Sequence, residues 1–274
     1  MWPTCIICNR TGGQGKTLIC HLTHLGYREA GINLRLAAAD TVGSAASKLG
    51  KFFPGQVKEL GIGLSLEEIR ADGPAAVTYW DQLGKMLLAG GAIIDLGANI
   101  APTVWDWART RDAGRILRQR NAPPIVLVVP VRPQAQALED AVALLNRSIE
   151  LSDALPIASR ILVLNELGGR FDGYGTNEDV EQINLLKERH GLLVARMRAC
   201  KSELWPAIER QYLPFDEILS MTPEEIESRF GLDPFAASGA QMDLVRWVNE
   251  TLGSFRSVGL IPPPLSRATK SAAE

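Results

Sequence analysis

The sequence predicts an α/β fold, a mostly parallel sheet with helices on both faces and a helical C-terminal extension. Three observations lead there. Apolar runs at 5–7, 32–39, 91–98, 125–131 and 160–165 have the continuity of strands buried on both faces. Stretches with helical periodicity separate these runs. The first run ends in a glycine-rich turn that opens directly into a helical stretch, the βα arrangement that holds phosphate. With 274 residues, 46% of them hydrophobic and 22% charged, the chain can bury a substantial core as a single domain. One domain is expected over 1–261, with its sheet core at about 1–200 and a mainly helical part at about 201–261. The segment 262–274 starts with Pro262-Pro263-Pro264 and continues in small polar residues, so it is expected to be a disordered tail.

The turn after the first strand carries the chemistry. It reads Cys8-Asn9-Arg10-Thr11-Gly12-Gly13-Gln14-Gly15-Lys16-Thr17, and the helical pattern continues from Leu18. Gly12, Gly13 and Gly15 let the backbone approach phosphate oxygens and aim successive N–H groups at them, and the helix adds its positive N-terminal end. Lys16 is placed to reach the β- and γ-phosphates, and the Thr17 hydroxyl to sit on Mg²⁺. The nucleotide-binding set is therefore Arg10, Thr11, Gly12, Gly13, Gln14, Gly15, Lys16, Thr17 and Leu18. The strict G-x-x-x-x-G-K-[ST] pattern is not met, because Arg10 takes the first glycine position.

The GGxGK[ST] form that is met resembles the deviant Walker loop of the ParA/MinD ATPases, so a P-loop NTPase fold with ATP and Mg²⁺ as cofactors is implied. That family usually reads K-G-G-x-G-K-T, its first lysine reaching across a dimer to the partner's nucleotide. Here that position is Thr11, which carries no charge, while Arg10 beside it has the length to deputise. The resemblance thus implies nucleotide binding more strongly than an ATP-dependent dimer.

Later segments follow the order that the resemblance implies. The run 32–39 delivers Asp40-Thr41-Val42-Gly43-Ser44, which resembles the family's D-P-x-G-x segment. Asp40 then matches the aspartate that orients or deprotonates the attacking water, and with Lys16 it forms the implied catalytic pair. The family's further aspartate two residues earlier is Ala38 here. Gly91-Ala92-Ile93-Ile94-Asp95-Leu96-Gly97-Ala98 has the form of a Walker B strand. Asp95 at its end faces the crevice where open α/β sheets bind ligands and is placed to hold Mg²⁺ through water. Gly97 follows it, as a segment that swings on loss of the γ-phosphate requires. The strands 125–131 and 160–165 come next, and Asn165 matches the asparagine that contacts adenine in the family. GTP-specific relatives read N/T-K-x-D at that point; Asn165-Glu166-Leu167-Gly168 favours ATP.

Helices are expected at 18–30, 66–72, 75–88, 104–118, 134–149 and 178–190. Ser65-Leu66-Glu67-Glu68 and Thr222-Pro223-Glu224-Glu225 read as capping boxes. Beyond residue 201, Trp205, Trp247 and Phe255 are the expected packing anchors against the sheet. Cys5 and Cys8 form a CxxC, but three apart on a strand they point to opposite faces, and no second pair completes a zinc site. His21 and His24, one helical turn apart, read as packed helix residues rather than ligands. No apolar run approaches the ~20 residues of a spanning helix, so no membrane contact is expected, and the unpaired cysteines suit a reducing cytoplasm.

A net charge of −2 gives no global attraction to nucleic acid. Locally, Arg111, Arg115 and Arg118 fall at i, i+4, i+7 within the expected helix 104–118, a spacing that would track a DNA backbone. The resemblance implies a ParA/MinD-like ATP-binding switch in plasmid or DNA partition, stability or conjugation, closest to the StbB-type branch. It would be a weak ATPase working beside a small DNA-binding or adaptor protein. The alternatives are a small-molecule kinase or ligase of the same fold, or a nucleotide-binding scaffold with little hydrolysis.

Overall fold

The computed structural model describes residues 1–39, 47–60, 73–98, 100–171 and 177–265. Seven strands form one sheet in the order β3-β2-β4-β1-β5-β6-β7, and every neighbouring pair is parallel. They are β1 (Thr4–Ile7), β2 (Arg35–Ala39), β3 (Val57–Glu59), β4 (Ala92–Leu96), β5 (Ile125–Val131), β6 (Ile157–Asn165) and β7 (Leu193–Met197). Because β1 lies between β4 and β5, the chain leaves it in one direction for β2 and later passes to its other side. That reversal opens a crevice at the C-terminal end of β1, where open α/β sheets bind ligands.

Side-chain alternation along β1 divides the interior into two layers. Cys5 and Ile7 join Ile19, Leu22, Phe215, Trp247 and Phe255 on one face. Ile6 and Cys8 join Trp80, Leu83, Trp105 and Leu145 on the other. The expected separation of the two cysteines follows from this, and all four cysteines are free thiols. Burial pushes Cys5 and Cys8 up to about 12, so both stay protonated and unreactive.

The helices are α1 (Lys16–Glu29), α2 (Lys48–Phe52), α3 (Gly73–Ala89), α4 (Ala101–Thr110), α5 (Ala113–Gln119), α6 (Ala135–Glu150) and α7 (Asn177–His190), then α8 (Trp205–Gln211), α9 (Phe215–Ser220), α10 (Pro223–Phe230) and α11 (Pro234–Ser257). The last four cover the α1 face of the sheet. Phe255 is fully buried there, and Trp247 contacts both Trp205 and Phe215, as anchors should. The Thr222 capping box forms: its hydroxyl accepts from Glu225 N at 3.3 Å, and the Glu225 carboxylate accepts from Thr222 N at 2.8 Å. Asp233 caps α11 by accepting from Phe235 N and Ala236 N at 2.9 and 3.0 Å.

The expected helix 104–118 is two helices. The chain breaks at Asp112, a non-glycine residue held in the left-handed region at φ 51°. The expected helix 66–72 and its Ser65 capping box lie outside the described residues, as does most of the segment 262–274. Within that segment, Leu265 N donates to Glu29 O at 3.2 Å, which seats the chain against the end of α1. No helix among the described residues is long and apolar enough to cross a membrane.

Candidate functional site

The loop between β1 and α1 is built by its own glycines and held by the neighbouring strand ends. Gly13 and Gly15 have φ of 74° and 90°, a region that side chains rarely adopt. At Gly15 a Cβ would also collide with the Asn165 amide, so backbone geometry and space both demand glycine. Gly15 is the N-cap of α1, and its carbonyl accepts from Ile19 N at 3.0 Å to start the helical ladder. The helix thus begins at Lys16, two residues before the expected Leu18, and its N-terminal amides face the crevice.

Three side chains stitch the loop to the sheet. Asn9, fully buried, donates to Pro130 O at 2.7 Å and accepts from Thr11 N at 3.2 Å. Gln14, also buried, accepts from Arg132 N at 2.7 Å and donates to Gly12 O at 3.0 Å. Asn165 donates through Nδ2 to Gln14 O at 2.9 Å and accepts from Leu167 N at 3.1 Å. The resemblance implies an adenine contact for Asn165. In the structure its amide is wholly buried, with the oxygen and the nitrogen both engaged by backbone. Sequence spacing does not reveal the roles of Asn9, Gln14 and Arg132, because they depend on the end of β5 lying beside the end of β1.

Thr17 and Asp95 come together as expected. Ile7 is in register with Asp95, so the two strands end side by side, and the first turn of α1 turns the Thr17 hydroxyl back to donate to Asp95 Oδ2 at 2.7 Å. This is an all-oxygen donor pair. It suits Mg²⁺, which takes few protein ligands and completes its octahedron with phosphate and water. No cluster of three or more His, Cys, Asp or Glu suited to a metal occurs among the described residues. Asp40 lies outside the described residues. The residue before it, Ala39, pairs with Leu96, and Gly97 N donates to Ala39 O at 2.7 Å, so β2 ends beside β4.

Thr11, at the position of the family lysine, donates its hydroxyl to the Asp140 carboxylate on α6. Arg10 is exposed on the outer side of the loop. His21 and His24 are packing residues. His21 Nε2 accepts from Phe215 N at 2.9 Å, and its ring sits against Phe52, Phe53 and Phe215. Burial first, and the neighbouring His24 second, push His21 down to about 3.

The arginine row expected on one helical face is corrected by the break at Asp112. Arg111 lies beyond the end of α4, whereas Arg115 and Arg118 belong to α5. Arg111 forks onto Asp81 at 2.8 and 3.0 Å, Arg115 pairs with Asp112, and Arg118 donates to Asp153 O at 3.2 Å. With Arg111 off the axis that carries Arg115 and Arg118, the three do not share one helical face. A cavity of about 500 Å³ lies beyond Asn165, lined by Glu166, Arg170, Arg196, Arg198, Lys201 and Trp247 among others.

No protein-family model matches the sequence, and no curated protein sequence matches it. Among solved structures, the chain is similar to the ParA family ATPase of Chlorobium tepidum, at 14% identity and a TM-score of 0.46 over 90% of this chain and 98% of that one. It is similar to the cell division ATPase MinD of Pyrococcus furiosus, at 15% identity and a TM-score of 0.45 over 91% and 99%. A Cyanothece McdA complex with ATP gives 14% identity and a TM-score of 0.44 over 97% and 99%. These are likenesses of fold. With its own parallel sheet, its β1 to α1 phosphate loop and the Thr17 to Asp95 pair at the crevice, the chain has the α/β fold of the P-loop NTPases.

Proposed function

We propose that this protein is a ParA/MinD-type switch that binds Mg-ATP in the crevice at the end of β1. The observation that carries the reading is the Thr17 to Asp95 hydrogen bond, which brings the Walker A hydroxyl and the Walker B carboxylate to one point beside a glycine-built loop. Phosphate oxygens take the loop amides and the N-terminus of α1, and Lys16 adds a point charge on the β- and γ-phosphates. A bound Mg²⁺ would neutralise charge building up between those phosphates. Thr17 would hold it directly and Asp95 through water.

Asp40 follows in sequence on Ala39, whose partner Leu96 comes right after Asp95. In this reading Asp40 orients the attacking water, and hydrolysis is slow because Thr11 supplies no charge in trans. The nucleoside end extends past Asn165 into the cavity of about 500 Å³, a volume suited to it. Partition, stability or conjugation of a plasmid, as in the StbB-type branch, is the setting we favour, with a small DNA-binding or adaptor protein as partner.

Calorimetry with Mg-ATP tests the site. Lys16→Ala should abolish measurable binding while leaving the melting temperature of the free protein unchanged. ATP affinity equal to the parent's would refute the assignment. Single-turnover hydrolysis then separates the roles: Asp40→Ala should bind but turn over more slowly, and an unchanged rate would remove Asp40 from the mechanism. A phosphorylated small molecule appearing on incubation with cell metabolites would favour the kinase reading instead.

A further inference from the structure

A second cavity, of about 270 Å³, shares no lining residue with the cavity beyond Asn165. Its walls are Arg10 of the loop, Pro102 and Trp105 of α4, and Ala143, Leu144 and Arg147 of α6. The hydrogen-bonding side chains of this wall are all donors. Arg10 and Arg147 bring two guanidiniums, and no carboxylate of the described residues lines the space. Arg147 has one acidic neighbour, Asp106 at 3.4 Å, a long contact between half-exposed side chains and therefore a weak one. Trp105 is almost completely buried, and its indole N–H has no hydrogen-bond partner among the described residues. A buried indole N–H without an acceptor is unusual and carries a desolvation cost of about 1–3 kcal/mol.

We propose that this cavity is an oxyanion site, distinct from the nucleotide crevice, for a phosphate or carboxylate group. Guanidiniums are the side chains best shaped to hold a planar or tetrahedral oxyanion, and two of them line this one space. The apolar remainder of the wall, Pro102, Ala143 and Leu144, lowers the local dielectric and strengthens both contacts. The Asp140 carboxylate of α6 is engaged by the Thr11 hydroxyl. The site bridges three elements with different duties: the phosphate loop, the helix that follows the Walker B strand, and the helix that follows β5. An oxyanion held there ties Arg10 to α4 and α6, and its affinity depends on the position of the loop.

The test uses the full chain with indole nitrogen-15 labelling, titrated with inorganic phosphate in one arm and with succinate in the other. The Trp105 indole resonance should shift and saturate in at least one arm, and the arm that saturates at the lower concentration identifies the source of the oxyanion. Arg147→Ala and Arg10→Ala should each weaken that response about tenfold, the loss of one charge-assisted hydrogen bond. Lys16→Ala should leave it unchanged, which keeps the result independent of whether the crevice binds ATP. A Trp105 resonance that moves in neither arm would overturn the proposal. So would a response that Lys16→Ala removes and Arg147→Ala spares, since the anion would then be sitting in the phosphate loop.

Discussion

Asn165→Ala separates two readings of the same residue, and its magnitude can be worked from the structure. The amide joins the end of β6 to the loop through two bonds, to Gln14 O at 2.9 Å and from Leu167 N at 3.1 Å, and it is fully buried. Truncation leaves a backbone carbonyl and a backbone N–H without partners, at about 1–3 kcal/mol each. A total of roughly 2–6 kcal/mol is smaller than most of the roughly 5–15 kcal/mol range of domain stabilities, so the variant should fold. Its melting temperature should fall by about 4–24 °C, at ~2–4 °C per kcal/mol for a chain of this size. If Asn165 clamps the loop, ATP and GTP should lose affinity together, by about tenfold or ~1.4 kcal/mol. Thermal unfolding and calorimetry with both nucleotides make the measurement. Weakened ATP binding with GTP unaffected would refute the clamp and restore the adenine contact, and an unchanged melting temperature would show that the two hydrogen bonds contribute nothing.

Gly15→Ala should be worse tolerated than Gly12→Ala, because Gly15 has φ of 90° and faces the Asn165 amide whereas Gly12 has open space at its Cβ; comparable melting temperatures would contradict this. Asp95→Asn should weaken the dependence of ATP affinity on Mg²⁺ more than ATP binding without metal, measured by titration with and without a chelator. His21, pushed down to about 3 by burial and then by His24, is neutral in the fold and protonates more readily when unfolded. Its contribution is complete above pH 6.5 and is lost as pH falls towards 3, at no more than ~1.4 kcal/mol per pH unit; His21→Gln, which keeps an acceptor for Phe215 N, should flatten melting temperature against pH in that window. Thr11→Lys frees Asp140 and places a charge where the family carries one, so it should raise the ATPase rate or ATP-driven dimerisation in sedimentation, and no change in either would show that Thr11 is not what limits them.

The parts of the fold legible in the sequence were those with an uninterrupted local signal. β5 coincides with the apolar run 125–131, and α6 falls within one residue of expectation. β3 and β7 left no such signal. β3 has three residues, two of them charged and exposed, and β7 carries Arg196 with its outer side in solvent, since both are edge strands. The break between α4 and α5 was hidden for a different reason. Periodicity continues across Arg111 and Asp112, and only a backbone dihedral at Asp112 ends the helix. That one residue undoes the arginine row, because the i, i+4, i+7 relation holds only along an unbroken axis.

The candidate site divides along the same line. The left-handed turn at Gly13 and Gly15 and the start of α1 beside them were readable because that geometry is local. The bonds that fix the loop join residues more than a hundred positions apart: Asn9 to Pro130, Gln14 to Arg132, Thr11 to Asp140 and Asn165 to Gln14. Three of the four run to one segment, from the end of β5 to the second turn of α6. A loop held this way does not move alone. If the γ-phosphate draws the backbone at Gln14 inward, the pull reaches Arg132 N through a 2.7 Å bond and α6 through Thr11 and Asp140, before any partner is involved. The face of the molecule that carries Arg10, Trp105 and Arg147 is built on the elements joined by these bonds. If the crevice binds ATP as proposed, this is the surface on which a nucleotide-dependent change would be most directly displayed, and the one where a partner could read the state of the crevice without entering it.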